Sequence, residues 1–179
     1  MTRMPVTRGA QALSIDVVGT EAPSARREAV RQLMTEYAAL PHTAGRWLTM
    51  EADLLRLPQP FVPPTGRLLI ATVDGHEVGC GALMMLEPEV AEIKRMYVRP
   101  SARGRGIGAT LLRALIAEAG AMGAVRLRLD TAPELSAALD LYRQFGFTPI
   151  APYRAGLLAD ALCFERPVVL PTNHGDGQS

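Results

Sequence analysis

The segment of this 179-residue chain whose residue types and spacing point most directly to chemistry is Arg103-Gly104-Arg105-Gly106-Ile107-Gly108, with Ala109 after it. Ile107, Leu111, Leu112, Leu115 and Ile116 recur at helical spacing from there on, so the glycines stand at a helix start. Such a start offers backbone N–H groups without intrahelical partners and the positive end of the helix dipole, and glycines let an anion approach the main chain closely. Three glycines at alternate positions, flanked by Arg103 and Arg105, exceed what a strand-to-helix turn needs, and the segment reads as a cradle for a phosphate-bearing ligand. A nucleoside-triphosphate P-loop is excluded because no Lys-Ser or Lys-Thr follows the last glycine. A dinucleotide site fits the local pattern better. Gly104-x-Gly106-x-x-Ala109 matches a loose fingerprint, and Asp130 ends the next strand about 20 residues on, where a ribose-binding acid belongs.

The surrounding elements argue against the dinucleotide reading. The strand expected before the glycines, residues 91–98, carries Glu92, Lys94 and Arg95, and the loop 99–103 separates it from Gly104, whereas a dinucleotide-binding strand is apolar and runs almost directly into its first glycine. Upstream, residues 67–73 and 77–86 alternate around Asp74-Gly75, which predicts an antiparallel hairpin. A first strand is expected over 14–18, a helix from Ser24 to Pro41 on Ala29, Leu33, Tyr37 and Leu40, and a short helix from Trp47 to Leu57. Downstream come a strand at 125–130, a helix opened by Pro133 and stopped by Gly146, and strands at 147–151 and 161–168. Residues 1–12 read as a flexible arm, 171–179 as a disordered tail, and 13–170 as one domain. The expected class is α/β in the α+β sense: a mixed, mostly antiparallel sheet of about six to seven strands with about four helices.

Composition narrows the partners. Nineteen basic residues against 18 acidic give a net charge of +1, too little to gather nucleic acid or an anionic membrane. Lys94 is the only lysine, so the positive charge is almost all arginine and a single arginine carries little weight. Cys80 and Cys163 form no CxxC pattern, and His42, His76 and His174 form no ligand pair, so no metal is expected. No run approaches the ~18 apolar residues of a membrane span, and a cytoplasmic protein is the expectation.

Two motifs in order, Met-Tyr-Val-Arg-Pro-Ser-Ala-Arg-Gly-Arg-Gly-Ile-Gly at 96–108 and Leu-Tyr-Arg-Gln-Phe-Gly-Phe at 141–147, resemble the GNAT family of N-acetyltransferases, and the resemblance spans about 66–167. It implies that Arg103, Gly104, Arg105, Gly106, Ile107, Gly108 and Ala109 hold the pyrophosphate of coenzyme A, and that Met96, Tyr97 and Val98 carry the pantetheine arm on their backbone. Tyr142 would contact the cofactor and act as general acid toward the leaving thiolate. Glu92 would be the general base, with Glu77, Glu87 and Glu89 as alternatives and Tyr153 and Arg154 facing the acceptor. The implied reaction moves acetyl from acetyl-CoA, without a metal, to a primary amine of a small molecule or peptide by direct attack; a homodimer is common in the family. Leu135 stands where many members have Asn. The wording also resembles a bacterial branch found alone or fused to MarR-type regulators. The alternative of another class is a non-catalytic acyl-CoA sensor that keeps the cradle but lacks an effective base.

Overall fold

Alternation builds the sheet, as the hairpin shows first. Gly66–Val73 (β2) and His76–Glu87 (β3) pair antiparallel, and the turn residues Asp74 and Gly75 take φ of 50° and 82°, the tight turn that Asp-Gly supports. The computed structural model describes residues 12–41 and 50–169, so the expected arm up to residue 11, Trp47 and the expected tail lie outside the described residues. Within them, Leu13–Val17 (β1) pairs β2, Val90–Val98 (β4) pairs β3, and Arg126–Thr131 (β5) runs parallel to β4. Thr148–Ile150 (β6) and Leu162–Pro167 (β7) complete a seven-stranded sheet in the order β1-β2-β3-β4-β5-β7-β6. The single parallel contact, β4 with β5, is bridged by the helix Ile107–Ala121 (α3), as a parallel crossover requires.

Helices cover both faces. On one side α3 and Ser136–Gln144 (α4) bury Leu111, Leu112, Leu115, Leu139 and Tyr142 against Leu69, Leu83, Ile93, Leu127, Leu129 and Phe164. On the other, Ser24–Ala38 (α1) packs Val30, Leu33, Met34 and Tyr37 on Leu68, Ile70, Cys80, Ala82 and Tyr97. Leu68 and Ile70 facing one layer while Leu69 faces the other is the period of two that a strand imposes. Gly81 lets α3 sit close on the sheet, since a Cβ there would meet Leu115 Cδ1 at 2.9 Å. No described helix is long and apolar enough to cross a membrane.

Two features depart from expectation. The last helix begins at Ser136 rather than at Pro133, because Leu135 N–H bonds Ala132 C=O at 3.1 Å and makes residues 132–135 a turn. The second is a bulge in β4. Cys80 pairs Tyr97 and Ala82 pairs Lys94, so Arg95 and Met96 together oppose Gly81, and Arg95 takes φ 56°. The extra residue reverses the alternation: Ala91 and Ile93 face the α3 layer before it and Met96 after it, while Tyr97 turns to α1.

The bulge sends the Arg95 side chain into the α1 layer, where it is 2% exposed and meets Asp53 of Met50–Arg56 (α2) at 2.6 Å. Taking away that carboxylate breaks a buried, doubly hydrogen-bonded ion pair, so Asp53→Ala is expected to cost on the order of 3 kcal/mol, read as a lower denaturant midpoint with an unchanged slope.

Candidate active site

The site begins where the sheet parts. β4 and β5 pair only at Val90↔Arg126, Ala91↔Leu127 and Glu92↔Arg128; beyond Glu92 they diverge, and β4 has no strand partner on that side. The opening is a cleft of about 630 Å³ with β4 from Ile93 to Val98 on one wall and Leu129 to Thr131 on the other. The glycine segment and α4 close its two ends. Of the residues expected at the site, Met96, Tyr97, Val98, Arg103, Gly104, Gly106, Ile107, Gly108, Ala109 and Tyr142 all line this one cleft; Arg105 and Glu92 do not.

At the glycine end, Gly104 and Gly106 have φ of 74° and 76°, and a Cβ on either would point into open space. Gly106 is the residue before α3, no side chain caps that end, and the first bond of the helix runs from Thr110 N–H to Gly106 C=O at 3.0 Å. The N–H groups of Ile107, Gly108 and Ala109 therefore precede the helix ladder and are available to an anion. The short 3-10 turn Pro100–Ala102 leads in, and Arg103 folds back so that its Nε donates to Val98 C=O at 3.0 Å. An uncapped helix start, two left-handed glycines and an open approach fit the pyrophosphate of coenzyme A.

At the far end, Tyr142 is buried, lies edge-on to Phe147 with ring centroids 5.8 Å apart, and places its hydroxyl 4.0 Å from Met96 Sδ. Burial, with Tyr37 and Asp130 nearby, pushes its phenol well above the ordinary range, so it keeps its proton. Tyr37 of α1 reaches the same cleft, and burial pushes it up to about 12.

Glu92 lies under the cleft floor at 1% exposure. Its Oε1 accepts from Arg154 Nε at 2.7 Å and from Tyr153 O–H at 2.8 Å, and its Oε2 accepts from Lys94 Nζ at 3.2 Å. Burial alone would raise this carboxyl, but the Lys94 charge and the Arg154 and Tyr153 hydrogen bonds outweigh it, and the group sits below its usual value. Of the alternative bases, Glu87 pairs with Arg128 at 3.1 Å, and Glu77 and Glu89 lie outside the cleft lining.

Three acids line the cleft, Asp130, Glu134 and Asp140; the latter two are exposed, and Asp130 is the one set into the wall. Its Oδ1 accepts from Arg154 Nη2 at 3.0 Å, and Oδ2 accepts no hydrogen bond among the described residues. Burial raises its pKa, Glu92 adds to the rise, and the Arg154 charge only partly opposes it. Leu135, at the N-cap of α4, also lines the cleft and supplies no capping bond.

The acetyltransferase (GNAT) family matches this chain over residues 27–147. An IAA acetyltransferase of Azospirillum brasilense is 36% identical over 146 residues, which is 79% of this chain and 92% of that protein. Among solved structures, a GNAT-family acetyltransferase of Staphylococcus aureus superposes with a TM-score of 0.70 at 17% identity, covering 88% of this chain and all of the other. A GNAT acetyltransferase of Elizabethkingia anophelis with acetyl-CoA bound gives 0.60 at 19%, covering 87% and 97%. At such identities those two likenesses concern the fold, but the family match and the relative reach most of the sequence, and on them the chain belongs to the acetyltransferase (GNAT) family.

Proposed function

We propose that this chain is an N-acetyltransferase, a single domain over 13–170 working in the cytoplasm, that moves acetyl from acetyl-CoA to a primary amine of a small molecule or peptide. The observation that carries the reading is the cleft itself: an anion cradle at one end, an unpaired strand edge along the wall, and a protonated phenol beside a carboxylate of raised pKa at the other end. Acetyl-CoA supplies an activated acyl carbon as a thioester. The N–H groups of Ile107, Gly108 and Ala109, with Arg103, would hold its pyrophosphate, and the free edge of Met96 to Val98 its pantetheine amides.

Direct attack fits better than an acyl-enzyme, because neither cysteine lines the cleft and burial pushes the Cys80 thiol up to about 12. The amine nitrogen bonds to the acyl carbon, the carbonyl oxygen takes up charge, and the C–S bond then breaks. The free oxygen of Asp130 takes a proton from the attacking amine, which makes Asp130 the base and leaves Glu92 a supporting role beneath it. Backbone N–H groups on the open edge of β4 receive the oxyanion. Tyr142 donates its O–H to the sulfur. Since a thiol titrates near ~8.5 and this phenol far higher, Tyr142 acts as a hydrogen-bond donor, and the proton that ends on sulfur is the one Asp130 took from the amine and gives up again.

Thiol release from acetyl-CoA across an amine panel, with the acceptor read by mass shift, tests the reading; binding of acetyl-CoA without turnover on any amine would favour the sensor. Tyr142→Phe is expected to lower kcat by about 10-fold to 100-fold, the worth of one hydrogen bond to a charged atom, while KM for acetyl-CoA stays near its native value.

A further inference from the structure

We propose that Arg154, from the loop between β6 and β7, is a positioning residue for acyl transfer: its guanidinium clamps β4 to β5 where the two strands part and holds the Asp130 carboxylate at the cleft. The inference rests on Asp130 being the base.

The geometry is that of one planar fork spanning a gap. The β4–β5 ladder ends at Glu92↔Arg128, and Asp130 lies two residues further along β5 on the same face as Arg128. Arg154 Nε reaches Glu92 Oε1 at 2.7 Å and Nη2 reaches Asp130 Oδ1 at 3.0 Å, so a single side chain replaces the missing ladder at the point of divergence. A lysine has no such fork. The loop that carries Arg154 is itself fixed. Tyr153 donates to Glu92, and its ring lies 5.5 Å from the Arg128 guanidinium and 5.9 Å from that of Arg154. Arg128 is held in turn by Glu165 of β7 at 2.7 Å and Glu87 of β3 at 3.1 Å. The clamp is thus tied to β3, β4, β5 and β7, while Arg154 stays out of the cleft lining.

Its effect on Asp130 has a definite sign. Glu92 and Lys94 face Asp130 from β4, Tyr142 from α4, Tyr37 from α1, and Cys163 is its register partner on β7. Burial and Glu92 favour the protonated acid; Arg154, by charge and hydrogen bond, and Lys94 favour the carboxylate. Without Arg154 the larger of the opposing influences is gone, and Asp130 holds its proton to higher pH.

The test follows the carboxyl carbon of Asp130 by NMR in protein labelled with 13C-aspartate, the resonance being assigned by its absence in Asp130→Asn. In Arg154→Gln the titration midpoint is expected to rise by about one pH unit or more, and in Arg154→Lys by less, since the charge survives without the fork. With the amine that turns over fastest in the panel, the acidic limb of kcat/KM should rise with it, about tenfold slower at a fixed pH on that limb, recovering at high pH, with KM for acetyl-CoA little changed. If Arg154→Gln fails to fold, the lysine variant alone decides. An unmoved midpoint in the folded variant overturns the proposal. A moved midpoint with native turnover and pH profile in Asp130→Asn instead removes the base on which it rests.

Discussion

Asp130→Asn is expected to lower kcat by roughly 10²-fold to 10⁴-fold, the range of a positioned proton acceptor, with acetyl-CoA affinity nearly intact. The substitution is close to isosteric, and its amide oxygen can still accept from Arg154, so the clamp persists while the basic lone pair is lost. The native enzyme should show the matching pH dependence. Because burial lifts Asp130 above its ordinary value, activity falls as pH drops through that raised pKa, and the limb lies at higher pH than a solvent-exposed aspartate would give. Steady-state kinetics over pH, beside calorimetric titration with coenzyme A, separate the two effects. Native turnover in the variant would send the proton to water.

The second large effect falls at the other end of the cleft. Gly106→Ala is expected to weaken coenzyme A binding by about 10-fold to 100-fold, the loss of one or so charge-assisted hydrogen bond, and to lower the melting temperature by several degrees. Gly106 holds φ 76°, where a side chain costs about 1–2 kcal/mol, and its new Cβ would enter the open space in front of the helix start. Gly108→Ala is the contrast. It lies inside α3 without a left-handed φ, and its Cβ would meet Leu141 Cδ2 at 3.6 Å, an ordinary contact, so helix propensity should hold or raise the melting temperature. Equal melting losses in both variants would contradict the strain argument.

What was legible in the sequence was local. Asp74-Gly75 named its turn, Gly146 with φ 79° ended α4 as a left-handed stop, and the spacing of Ile107, Leu111, Leu112 and Leu115 fixed both α3 and the helix start where the glycines stand. What was not legible depends on contacts far along the chain. Glu92 looked like an acid at a strand head; nothing near it announces that Tyr153, 61 residues away, and Arg154 fold over and occupy it. Asp130 is legible as a strand-end acid, but its opening onto a cleft depends on the parting of β4 and β5 in front of it, which no local pattern encodes. The bulge at Arg95 left no trace because Lys94-Arg95 already interrupts the apolar pattern, and periodicity cannot be phased across two charges.

That bulge gives β4 a residue whose removal leaves the facing of the rest of the strand intact. Deleting Arg95 would restore an unbroken ladder, with Met96 opposite Gly81 and Tyr97 still opposite Cys80, and would cost chiefly the ion pair with Asp53. Deleting Ile93 instead would move Lys94 into its place, turned toward the apolar α3 layer. Protein variants that shorten this strand should therefore fold best where the residue lost is the bulged one.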